Sequence, residues 1–163
     1  MINKIKENIY QLSFKEFGSC VYIIKIDSKT IMIDTSSQFV KPELVKDLKQ
    51  IGLEPEDIEI VILTHAHWDH DANTNLFNKA DVYNLKNIDN LPITEFKIYK
   101  VPGHTKDSLA ILYKDVLFSG DTIFHNEGIG RYDFPESVPE KIHESVEKLR
   151  NLNYKILCPG HID

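Results

Sequence analysis

The stretch Thr64-His65-Ala66-His67-Trp68-Asp69-His70-Asp71-Ala72-Asn73 puts three histidines and two aspartates into ten positions, directly after the apolar run Ile60-Val61-Ile62-Leu63. A merely solvated surface would more naturally use Lys and Glu. Imidazole and carboxylate at this density suit a divalent cation, since neutral imidazole nitrogen and carboxylate oxygen bind Zn²⁺ and similar ions at about 2.0–2.2 Å. If the backbone stays extended past the run, its period of two points His65, His67 and Asp69 to one side. His70 needs a turn of the chain to join them, and a strand-to-helix junction supplies one.

The same pattern recurs three times further on, in Val101-Pro102-Gly103-His104-Thr105, Phe118-Ser119-Gly120-Asp121-Thr122 and Cys158-Pro159-Gly160-His161. Each sets a glycine before a histidine or aspartate at the end of an apolar segment, where a loop on a rigid sheet presents functional groups. Glycine allows close backbone approach or a positive φ there. Taken singly, a Gly-His or Gly-Asp pair is more often a turn than a ligand. Beside the dense run, His104, Asp121 and His161 become expected ligands. Five histidines and two aspartates exceed one tetrahedral cation and fit two cations sharing a carboxylate. His143, beside the apolar stripe of its helix, reads as solvated, and His125 as a surface-loop residue.

The remaining sequence predicts the scaffold. Residues 8–14 and 20–26 read as strands, Asp27-Ser28-Lys29 as a turn, and 30–34 as the returning strand. Pro42 opens a helix whose Leu44, Val45, Leu48 and Ile51 share a face and which Gly52 closes. Residues 58–63 read as a buried strand and 68–77 as a short helix. In a second half of similar layout, 80–84 and 97–101 are expected strands, and 108–113 and 116–119 a hairpin around Lys114-Asp115. Ser137-Val138-Pro139-Glu140 reads as a capping box opening a helix with Val138, Ile142, Val146 and Leu149 on one stripe, and 155–158 as a last strand. Strands and helices in this order predict an α/β chain, two packed sheets with helices outside, in one domain over 1–163.

At 163 residues the chain is long enough for a real core, and its net charge of −6 argues against nucleic acid or an acidic membrane as partner, because phosphate neutralisation needs a basic face. No apolar stretch reaches the roughly 18–20 residues of a membrane helix. Lys and Glu interrupt the first residues where a signal peptide would be apolar. Cys20 and Cys158 lie far apart in apolar surroundings and are expected as buried free thiols, with cytoplasm the default compartment. A small-molecule substrate is the expected partner, and oligomeric state stays open.

The segment 64–70 resembles the THxHxDH signature of the metallo-β-lactamase superfamily. Gly103-His104, Gly120-Asp121 and Gly160-His161 follow in the order of that family, and Ile33-Asp34-Thr35 resembles its early strand end. The resemblance implies an αββα sandwich, with His65, His67 and His104 holding one metal, Asp69, His70 and His161 a second, and Asp121 bridging. It implies that Asp34 and Thr64 orient the ligands. Two cations roughly 3.5–4 Å apart would share a water and lower its pKa toward about 7, supplying hydroxide for attack on a carbonyl. Asp69 would accept the proton of that water.

Residues 120–124 and 128–135 are similar to the corresponding region of glyoxalase II-like hydrolases and persulfide dioxygenases, with Tyr132 where Thr is usual and Asp71-Ala72-Asn73 where Gly-Gly is commoner. The resemblance is therefore closest to the glyoxalase II-like group. It implies hydrolysis of a small thioester, ester or lactone with two divalent ions, Zn first and Fe or Mn as alternatives. Arg131 is either an anchor for an anionic substrate group or a structural partner of Asp133. The chain ends two residues after His161 and is expected to lack the helical domain that grips glutathione in glyoxalase II. The alternatives are an iron-dependent persulfide dioxygenase using His65, His67, His104 and Asp121, and a non-catalytic metal-binding module.

Overall fold

The chain begins with two strands that pair as a hairpin, β1 (Ile2–Lys6) and β2 (Ile9–Leu12), and continues through β3 (Val21–Ile26) and β4 (Lys29–Ile33). The computed structural model describes residues 1–162. These four strands run antiparallel, and β5 (Ile60–Ile62) and β6 (Asp81–Tyr83) extend the sheet in parallel, giving the order β1-β2-β3-β4-β5-β6. A parallel connection from β4 to β5 needs a crossover. It is made by α1 (Lys41–Gln50), which Pro42 opens and Gly52, at φ +75°, terminates.

The first of two compact units spans Met1–Tyr83. Leu44 and Leu48 of α1 pack with Leu12, Val21, Ile23, Met32, Val61 and Phe77 in its core. The strands with unbroken apolar runs are buried along their whole length, as in β5, which a strand covered on both faces requires.

The second unit, from Asn84 onward, holds β7 (Phe96–Lys100), β8 (Leu109–Tyr113), β9 (Val116–Gly120), α3 (Ile142–Arg150) and β10 (Ile156–Pro159). The helix α2 (Trp68–Asp71) belongs to the first unit. The second sheet is four-stranded, in the order β10-β9-β8-β7, with β10 parallel to β9 and the rest antiparallel. Ile142, Val146 and Leu149 bury the apolar stripe of α3 against Val101, Ala110, Leu117 and Ile123. Two mixed sheets with helices thus form the expected α/β class, though the halves are unequal, six strands against four. Cys20 and Cys158 are buried and not joined in a disulfide. Among the described residues no helix is long and apolar enough to cross a membrane.

Three local expectations need correction. β1 was not anticipated: its Lys4 and Lys6 obscure the pattern, yet lysines suit the edge strand it forms. The helix expected over 68–77 stops at Asp71, and a 3₁₀ turn follows at Thr74–Leu76. There the Thr74 hydroxyl donates to the Asp71 carbonyl at 2.7 Å, the kind of side-chain competition that halts a helix. Ser137 caps nothing: α3 starts at Ile142, and the Ser137 hydroxyl donates instead to the carbonyl of His104 at 2.7 Å while accepting from the Phe134 amide.

Candidate metal centre

The first unit assembles four of the expected ligands just beyond β5. His65, Asp69 and His70 are buried, while His67 is half-exposed in extended backbone at φ −73°, ψ 143°. That backbone brings the rings together as the period-two argument predicts: His65 Nε2 faces His67 Nδ1 at 2.9 Å. The turn of α2 then carries His70 to the same cluster, its ring centroid 4.0 Å from that of His65.

What each imidazole can do is decided by its other nitrogen. A carboxylate only accepts, so Asp34 Oδ2, 2.8 Å from His70 Nδ1, requires the proton of His70 on Nδ1 and leaves Nε2 as its lone-pair nitrogen. Thr64 spends its single hydroxyl proton on the same Asp34 oxygen at 2.8 Å. It therefore accepts from His65 Nδ1, 3.1 Å away, and His65 too presents Nε2 as a lone pair. The second oxygen of Asp34 accepts the Thr64 amide at 2.8 Å. One buried carboxylate thus fixes two imidazole tautomers, directly for His70 and through Thr64 for His65, an arrangement that orients metal ligands wherever it occurs.

Asp34 itself sits at φ +58° and Ser36 at φ +62°, conformations that cost about 1 kcal/mol or more each outside glycine. The loop holding them is fixed by Asn73, a residue that the sequence marks only as a departure from the commoner Gly-Gly. Its buried amide donates to the carbonyls of Thr35 at 2.8 Å, Ser36 at 3.3 Å and Ser37 at 2.7 Å. Asn73→Ala would strand at least two buried acceptors. Unfolding in urea should show a loss of about 2–4 kcal/mol, from roughly 1–3 kcal/mol per orphaned group; a loss below about 0.5 kcal/mol would show that the loop holds its shape unaided. Thr35 adds to the frame, its amide and hydroxyl both donating to the carbonyl of His70. Asp71 is distinct from Asp69: burial lifts its carboxyl above the ordinary range, with His70 opposing the rise and Asp34 and Asp69 adding to it.

Within the second unit His104, Asp121 and His161 lie together. His104 Nδ1 lies 2.6 Å from the backbone carbonyl of Arg131, again an acceptor, so His104 also presents Nε2. That nitrogen faces Asp121 Oδ2 at 3.6 Å, and His161 Nε2 faces the same oxygen at 3.4 Å. Two ligands on one small tetrahedral cation stand about 3.3 Å apart, given bonds of about 2.0–2.2 Å. A lone pair and a carboxylate oxygen held at such separations are what a cation between them would relieve, so the donor set fits a metal.

The expected glycines each have a task. Gly120, at φ +51°, turns the chain out of β9, and its carbonyl accepts the Gly160 amide at 2.8 Å, which ties the Asp121 and His161 loops together. Gly103 lies where a Cβ would come 2.7 Å from the Cα of Ile142. The guanidinium of Arg131 donates to both oxygens of Asp133 at 3.0 and 2.9 Å and lies over the ring of Phe134, which meets His104 edge-on at 5.8 Å. The structural pairing of Arg131 is therefore present, and the contribution that sequence could not foresee is its carbonyl. His125 and His143 are exposed, His143 beside the Tyr132 ring.

The chain also resembles known proteins over nearly its whole length. The sequence profile of the metallo-beta-lactamase superfamily matches residues 15–86 and 82–161. A probable metallo-hydrolase of Methanocaldococcus jannaschii is 32% identical over 143 residues, 80% of this chain and 70% of that protein. A hydroxyacylglutathione hydrolase of Xanthomonas axonopodis is 31% identical over 158 residues, 85% of this chain and 58% of that one. Among solved structures, one crystallised in a di-iron-bound form matches with a TM-score of 0.76 at 21% identity, covering 94% of this chain and 92% of the other. The chain belongs to the metallo-β-lactamase superfamily and has its fold. Its class is that of the metal-dependent hydrolases.

Proposed function

We propose that this protein hydrolyses a small thioester, ester or lactone, using two divalent cations. His65, His67 and His104 would hold one, Asp69, His70 and His161 the other, and Asp121 would be shared. The observation that supports the reading is the set of three histidines, His65, His70 and His104, whose Nδ1 protons go to acceptors within their own units, which leaves each Nε2 as the lone-pair nitrogen. Zinc is the first expectation, with iron or manganese suiting the same donors; a related fold crystallised with two irons supports the last point.

Cations bound there would polarise the substrate carbonyl and acidify water at neutral pH. The chain's own residues do the rest. Water oxygen joins the acyl carbon, the C–S or C–O bond breaks, and one water proton ends on the departing thiolate or alkoxide. Asp69 is the carboxylate we assign to carry that proton. Arg131, exposed and already paired with Asp133, would have to exchange that partner for an anionic substrate group.

The test is elemental analysis of protein purified without added metal, followed by assays with S-acyl thioesters, lactones and persulfides. Two cations per chain are expected, with hydrolysis lost on chelation and restored by Zn²⁺, Fe²⁺ or Mn²⁺. One iron per chain with oxygen uptake on a persulfide would replace the hydrolase with a dioxygenase. Protein that holds no metal and turns nothing over would be a binding module.

A further inference from the structure

Among the described residues, five large hydrophobic side chains are exposed, and three of them meet. Trp68 stands at the centre, 52% exposed, with the ring of Phe17, 61% exposed, at 5.6 Å and that of Phe39, 68% exposed, at 5.8 Å. Single exposed apolar residues are ordinary on a protein surface. Three rings drawn from separate segments of one unit, in contact with each other, are not scatter.

The segments that carry the rings are also fixed. The Ser19 amide donates to the carbonyl of Asp69, the Ser36 hydroxyl to the carbonyl of Ser19, and the Ser37 hydroxyl to the carbonyl of Phe17. Asn73 holds the Ser37 carbonyl in turn. Gly18 must stay a glycine, because a Cβ there would lie 2.4 Å from the Ser36 hydroxyl. The frame that sets Asp69 and His70 thus also presents the aromatic trio, and Trp68 sits in sequence between His67 and Asp69.

We propose that Phe17, Phe39 and Trp68 form a platform for the apolar acyl or aryl part of the substrate. Side chains of this kind bury about 150–250 Å² each, so at these exposures the trio offers on the order of 300 Å². That is well short of the roughly 800 Å² per partner of a stable protein interface, and it matches a chain of several methylenes or one ring. A second copy of the protein is therefore the poorer occupant. The net charge of −6 likewise disfavours an acidic membrane surface. Aromatic side chains lose little conformational entropy on binding, which suits them to such a platform. This inference rests on the hydrolase reading for its meaning, and its test does not depend on turnover.

Trp68 is the only tryptophan in the chain, so its fluorescence reports directly on the platform. Metal-loaded protein is titrated with acetate, hexanoate, octanoate and decanoate. Acetate should leave the emission unchanged, while the longer acids shift it, with Kd falling up to about fourfold per added methylene. In a Phe17→Ala/Phe39→Ala double variant, decanoate binding should weaken by about tenfold or more and the dependence on length should flatten. Both rings are more than half exposed, so the substitutions spare the core. In the catalytic assay the readout is the slope of log kcat/KM against acyl length, in which any common loss cancels. An emission indifferent to chain length, or a length dependence intact in the double variant, overturns the platform. So does a dimer in sedimentation that the double variant dissolves, since it gives the rings to a second copy. Loss of every hydrolytic activity alongside an intact fluorescence series overturns the hydrolase reading and supports the platform.

Discussion

Replacing Asp34 by asparagine is expected to lower divalent-metal affinity by about 10- to 100-fold while the chain still folds. The two side chains have nearly the same shape, and Asn tolerates the positive φ of this position. What differs is polarity. Asp34 accepts three hydrogen bonds, from the Thr64 amide on one oxygen and from the Thr64 hydroxyl and His70 Nδ1 on the other. An amide can accept at one end only. If its NH₂ takes the place of Oδ1, it opposes the buried Thr64 amide. If it takes the place of Oδ2, it donates where His70 also donates. The least costly relief in the second case is for His70 to move its proton to Nε2, the nitrogen assigned to the metal. The loss is then a tautomer, not a missing contact, and the stability cost should be about 1–3 kcal/mol from one unsatisfied buried group. Chelator competition gives the affinity, and ¹⁵N spectra of the imidazoles give the tautomer. Unchanged metal affinity with His70 still protonated on Nδ1 would remove Asp34 from this role.

The contrast between Asp34 and its surroundings shows what the sequence makes legible. Side chains whose chemistry is unusual for their position can be read directly: the histidines and aspartates of 65–70, and the glycine-led His104, Asp121 and His161. Strands with unbroken apolar runs, such as β5 and β8, are equally plain, because burial on both faces favours that composition. Groups that act through the backbone leave no such trace. The carbonyl of Arg131 sets the His104 tautomer, and any residue at that position carries the same carbonyl. Ser137 has the right spacing for a helix cap, yet it spends its hydroxyl on the carbonyl of His104, thirty-three residues away. Local pattern cannot rank a distant acceptor against a near one. Asn73, just past the end of the shortened helix, is illegible for the same reason, since its amide partners are the carbonyls of residues 35–37.

Gly130→Ala should be the more damaging substitution, though it adds a single methyl. A Cβ at this position would lie 1.8 Å from the carbonyl oxygen of Asp121 and 3.2 Å from His104 Nδ1. The first contact is with backbone, so no side-chain rotation relieves it. Either residues 128–131 withdraw, or the turn after β9 moves. The neighbouring bridge between Ile123 and Ile129 and the hydrogen bond from the Gly130 amide to the Thr122 carbonyl oppose withdrawal. Movement of the turn displaces Asp121, and withdrawal carries away the Arg131 carbonyl that holds His104 on Nδ1. Both routes therefore disturb ligands, and both cost stability, by about 1–3 kcal/mol as overpacked sites typically do. For a chain of this length that corresponds to a fall in Tm of roughly 3–10 °C. Metal content per chain should fall together with Tm, whereas alanine at the exposed His125 should change neither. Wild-type metal content in Gly130→Ala would mean that the loop can retreat without moving His104, and the proposed dependence of that ligand on the Arg131 carbonyl would fail with it.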